Sequence, residues 1–186
     1  MNKKHFFLSF LFLISLLSVG CNRSVNGIIR NLYGKKIDFN WTKQTIWSDT
    51  LLDVYNWELD QTLKIVVYID STMCESCLYS YLSASSQFMD KVSSDSVVYI
   101  CVLQNRPMAQ IQKFLLTSNI SNVIVTVDIE NKYLRKNNID KYTNIITSFL
   151  LDTNNRIVLV GDPLRSNILK KMYEDKIHQI INNNSM

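Results

Sequence analysis

Three runs of the chain are apolar without a break and rich in β-branched residues: "LKIVVYI" (63–69), "VVYICVL" (97–103) and "VIVTV" (123–127). Continuous rather than alternating hydrophobicity is the mark of strands buried on both faces, and such strands belong to parallel sheets covered by helices. The segments between the runs supply those helices. Leu78, Tyr81, Leu82, Ser85, Phe88, Met89 and Val92 recur at i, i+3, i+4 spacing and predict an amphipathic helix over 75–92. Pro107, well suited to a first helical turn, opens a second helix through Thr117. "IENKYLRKN" (129–137) reads as a third, short one.

The pattern changes at "TSFLLDTNNRIVLVGDPL" (147–164). Apolar runs over 147–152 and 156–160 flank Thr153-Asn154-Asn155, a turn made of residues that tolerate left-handed backbone, so this is an antiparallel hairpin. Gly161-Asp162-Pro163 turns the chain, and 164–181 forms a closing helix. The order β-α-β-α-β-α-β-β-α defines an α/β three-layer sandwich: a mixed central sheet with an antiparallel C-terminal hairpin and helices on both faces. This domain spans 46–182. Residues 183–186 form a frayed tail, and the polar stretch 21–45 is a tether ending in a peripheral strand near "IDF" (37–39).

The first twenty residues stand apart. Lys3 and Lys4 precede an apolar stretch from Phe6 to Val19, shorter than the ~18 residues a membrane-spanning helix needs. That is the build of an export signal over 1–20, removed on maturation. It ends in "LSVGC" (17–21), which resembles the lipobox of bacterial lipoproteins and makes Cys21 the lipidation site, with the usual Leu one place further from the cysteine than is commonest. Without Lys3 and Lys4 the chain holds 18 basic against 16 acidic side chains. With no basic cluster interleaved with aromatics, no nucleic-acid partner is expected.

Four cysteines occur. Cys101 lies within a strand run and reads as a small buried hydrophobe. Cys74 and Cys77 stand three apart in "STMCESCLYS" (71–80), where a strand gives way to a helix. A structural zinc site wants four ligands, but there is no second cysteine pair and the only histidines are His5 and His178. No metal or cofactor is therefore expected. A peroxidase would want a proline and a threonine at set distances before its cysteine, and here only Thr72 is present. A redox pair and an inert structural disulfide both fit the spacing.

A buried strand running into Cys-x-x-Cys at a helix start, then βα units and a final hairpin and helix, resembles the thioredoxin superfamily over residues 35–182. "FLLDTNNRIVLVG" (149–161) is most similar to the membrane-anchored periplasmic thiol–disulfide oxidoreductases and to thioredoxin-like envelope lipoproteins. The resemblance implies a thioredoxin-like fold and an exposed Cys74 as nucleophile, with an inward-facing Cys77 that resolves the mixed disulfide. It implies a docking surface from Thr72, Met73, Ile146 and Thr147. It further implies partners that are protein thiols and disulfides of the bacterial cell envelope, and a monomer lipid-anchored on the periplasmic side. The chain departs from the pattern in several places. Met73 replaces a tryptophan, Glu75-Ser76 replaces Gly-Pro, and Ile146 or Thr147 takes the place of a cis-proline. Tyr68 occupies the position of a buried acid, with Asp70 two places on as a substitute relay. A helix N-terminus stabilises a thiolate, whereas Glu75 opposes one. A non-catalytic thioredoxin-fold lipoprotein acting as a binding or scaffold module is the alternative.

Overall fold

The computed structural model describes residues 26–39, 46–47, 63–92, 96–118, 120, 122–128, 130–142 and 148–184. The signal segment, Cys21, Ile146 and Thr147 lie outside them. The chain divides into two units, 1–33 and 34–186. In the first, the stretch read as a tether contains a helix, α1, over 26–32. The second unit holds the sheet and the cysteine pair.

The three apolar runs are strands. β2 (Leu63–Ile69) pairs in parallel with β3 (Val97–Gln104), and β3 in parallel with β4 (Val123–Asp128). On the other side of β2 comes the hairpin, β5 (Ser148–Leu151) antiparallel to β2 and β6 (Ile157–Val160) antiparallel to β5. A two-residue strand, β1 (Ile46–Trp47), is antiparallel to β4 at the far edge, giving the order β1-β4-β3-β2-β5-β6. The peripheral strand expected near 37–39 is instead a single bridge, Lys36 to Arg156, beside the hairpin.

Among the described residues of this unit the α-helices are α2 (Glu75–Val92), α3 (Met108–Thr117), α4 (Lys132–Lys136) and α5 (Asn167–Asn184). From β2 to β3 to β4 the chain steps one way across the sheet, and right-handed crossovers then place α2 and α3 on the same face. One core follows. Leu78, Leu82 and Phe88 of α2, Ile111 and Leu115 of α3, and Tyr173 and Ile177 of α5 pack on Ile65, Val67, Tyr99, Cys101 and Val125. The return from β4 to β5 covers the opposite face, where Tyr133 of α4 is buried and stacks on Tyr68 with ring centroids 6.0 Å apart. This is the thioredoxin-like fold.

The expected inner stripe of α2 is buried apart from Tyr81, which is half-buried, its hydroxyl donating to Asp162 at 3.0 Å and contacting the Tyr99 hydroxyl at 3.1 Å. The closing helix starts at Asn167, three residues later than expected. Asp162 accepts the Leu164 amide at 2.9 Å and holds a turn there, and the Ser166 hydroxyl accepts the Leu169 amide at 3.2 Å as N-cap. At the other end α5 continues through Asn184, so the asparagines expected to fray are helical that far.

Candidate active site

β2 ends at Ile69, and five residues carry the chain from the sheet to α2. Polar side chains from three loops fix that link. Asp70 accepts from the Thr72 amide at 2.7 Å and from the Thr72 hydroxyl. The Ser71 amide donates to Gln104 at 3.0 Å, and Gln104 donates to Asn131 at 2.8 Å. Asn131 also accepts from the Tyr68 hydroxyl at 3.4 Å. Arg106 donates to the carbonyls of Asp70, at 3.3 Å, and Met73.

Cys74 follows as the N-cap of α2: its carbonyl accepts the Leu78 amide at 2.9 Å, the first helical bond. Its Sγ takes the part that an oxygen plays in a Ser or Asp cap. It accepts the Cys77 amide at 3.1 Å and lies 3.3 Å from the Ser76 hydroxyl. Cys74 and Cys77 are joined as a disulfide. Both residues are exposed, which corrects the expectation that Cys77 faces inward. Cys77 shares the periodicity of the α2 stripe, but burial along the helix begins only at Leu78, and the first turn that carries Glu75, Ser76 and Cys77 is exposed. The amide and hydroxyl still distinguish the two sulfurs, because both converge on Cys74.

Asp70, read as a substitute relay, is exposed and bonded within its own loop. Its hydrogen bonds from Thr72, the Met73 amide and the nearby Arg106 charge hold its carboxyl below the usual carboxylate range against a desolvation that raises it. Glu75 is likewise engaged, accepting from the Tyr79 hydroxyl. That bond, with some desolvation, pushes the Tyr79 phenol up. The Tyr79 ring stacks on Phe114 of α3 at 3.8 Å. Tyr68, at the position of the buried acid, is itself buried, and desolvation pushes its phenol up further with help from Asp128 and Asp70.

Of the proposed docking residues, Thr72 is exposed and Met73 half-buried against the core. Cys101 is a free, fully buried thiol whose pKa is pushed up by burial, so it plays no part at the surface. Arg106, Gln104 and Asn131 were not foreseen. A sequence signal for Arg106 existed in "QNRP" (104–107), which follows the C-terminal end of β3 on the edge where open α/β sheets place their sites.

No family model and no curated protein matches the chain. Solved structures similar to it include StoA from Bacillus subtilis, 18% identical over 64% of this chain and 89% of that one, with a TM-score of 0.42. A thiol:disulfide interchange protein of the thioredoxin family from Chlorobium tepidum is 21% identical over 66% and 81%, with a TM-score of 0.47. The exposed lipoprotein thioredoxin of Streptococcus pneumoniae is 14% identical over 63% and 87%, with a TM-score of 0.46.

Proposed function

We propose that this protein is a thiol–disulfide oxidoreductase of the bacterial cell envelope, held to the membrane by a lipid on Cys21, that exchanges disulfides with envelope proteins. One observation carries the catalytic part: an exposed disulfide whose first sulfur caps a helix and accepts a backbone amide. In the reduced protein that amide bond becomes charge-assisted, and charge-assisted bonds are roughly twice as strong as neutral ones. Cys74 is then the thiolate and the nucleophile. It attacks a partner disulfide, forming an intermolecular S–S bond and releasing one partner thiolate. Cys77 attacks that bond, closing the 74–77 disulfide and releasing the second partner thiolate. Thr72, Met73, Ile146 and Thr147 border the partner.

The test is catalysed reduction of insulin by dithiothreitol. The full-length protein should accelerate it at catalytic concentration. A rate equal to that of dithiothreitol alone would leave the scaffold alternative standing. The anchor is tested separately by expressing Cys21→Ala in a bacterial host. The native chain should fractionate with membranes and the variant should be released; equal partition of both would remove the lipid from the account.

A further inference from the structure

Arg106 lies in the loop between β3 and α3, with its guanidinium turned back on the chain just ahead of Cys74. Its Nη2 donates to the carbonyls of Asp70, at 3.3 Å, and of Met73, the residue bonded to Cys74. A full positive charge is therefore held about one peptide unit from the residue that carries the nucleophile. The loop is built for that position. Asn105 takes φ 45° and its amide donates to the Asp128 carbonyl at 3.1 Å, while Pro107 fixes the far side as N-cap of α3. Nε of Arg106 is buried without a hydrogen-bond partner among the described residues. A donor left unpaired costs free energy, and beyond fastening two carbonyls the guanidinium brings a full positive charge to this loop.

Among the described residues, Asp70, Glu75, Tyr79 and Arg106 are charged or titratable groups that bond or act on one another at this end of α2. Both carboxylates disfavour a thiolate, and Arg106 opposes them. We propose that Arg106 is a positioning residue that sets the acidity of Cys74, favouring its thiolate once the 74–77 bond is reduced. The proposal rests on the exchange reading above. In that reduction a partner dithiol passes two electrons to the pair and closes to its own disulfide. Of its two protons, one goes to Cys77 and the other to solvent, leaving Cys74 as the anion.

The test compares Arg106→Gln, which keeps a donor and loses the charge, with Arg106→Lys, which keeps the charge and loses the fork. In reduced full-length protein carrying Cys77→Ser, the alkylation of Cys74 by iodoacetamide is followed against pH by peptide mass. Arg106→Gln should raise the Cys74 pKa by about one unit, or about tenfold less thiolate below that pKa, and Arg106→Lys should leave it near the parent value. With both cysteines present, the potential of the pair gives the matching signature. A thiolate stabilises the reduced form only above its pKa, so the Arg106→Gln potential should equal the parent's near pH 5. Well above both pKa values it should lie about 30 mV lower, the equivalent of that tenfold change. An unchanged Cys74 pKa in Arg106→Gln, even with a lower melting temperature, reduces Arg106 to a loop fastener. The two readings fail separately: a native chain inactive on insulin, with a Cys74 pKa that still depends on Arg106, sinks the enzyme and keeps the inference.

Discussion

Cys74→Ser is expected to lose insulin-reductase activity by on the order of 10³-fold, because a serine hydroxyl at neutral pH has no anion to offer and the remaining cysteine lacks the cap that favours ionisation. Cys77→Ser should fail differently. Cys74 still attacks, but nothing releases the partner, so a covalent adduct accumulates that dithiothreitol dissolves. This contrast matters because both cysteines are exposed, and exposure alone does not say which sulfur leads. The assignment to Cys74 comes from the Cys77 amide at 3.1 Å and the Ser76 hydroxyl at 3.3 Å. Adducts on Cys77 in Cys74→Ser, with none on Cys74 in Cys77→Ser, would reverse the roles. Neither substitution should unfold the chain, since both residues are exposed.

Phe88→Ala should lower stability more than any surface change. Phe88 is 1% exposed, meets Tyr99 edge-on with centroids 6.5 Å apart, and carries the Lys170 ammonium 5.7 Å from its ring centroid. Removing a buried phenylalanine costs about 3–5 kcal/mol from lost transfer energy and the cavity left behind. Against the ~5–15 kcal/mol typical of a whole domain, that is a large fraction. Chemical denaturation should show a much lower midpoint with an unchanged slope. The insulin-reductase activity of the folded fraction should persist, because Phe88 lies more than three turns along α2 from the disulfide. A midpoint within the error of the native one would mean that α2 and the sheet do not share the tight core described above.

The sheet was legible because burial on both faces leaves an unambiguous trace. β2 spans 63–69 and α2 spans 75–92 as read from composition and periodicity, and the hairpin turn fell where two asparagines sit between apolar runs. Legibility failed where one side-chain bond decides the outcome. The start of α5 depends on Asp162 taking the Leu164 amide into a turn and Ser166 capping the helix through the Leu169 amide, bonds that periodicity does not register. Cys77 is in phase with the inner stripe of α2 and the resemblance implies that it faces inward, yet burial starts one residue later, at Leu78, and periodicity does not register where along a helix the cover begins. The polar link of Gln104, Arg106 and Asn131 to the loop before Cys74 joins residues more than 25 positions apart. No local pattern encodes such a juxtaposition; only the parallel order of β2, β3 and β4 brings these strand ends to one edge.

Everything claimed for function turns on whether the 74–77 bond is an exchanging disulfide or a permanent strut. Its reduction potential separates the two. Equilibrating the native protein in dithiothreitol buffers at pH 7 and trapping free thiols at 74 and 77 should give a value above about −300 mV, in the range of bonds that trade with cellular thiols. A value well below it, where structural bridges resist reduction, would contradict the enzyme outright.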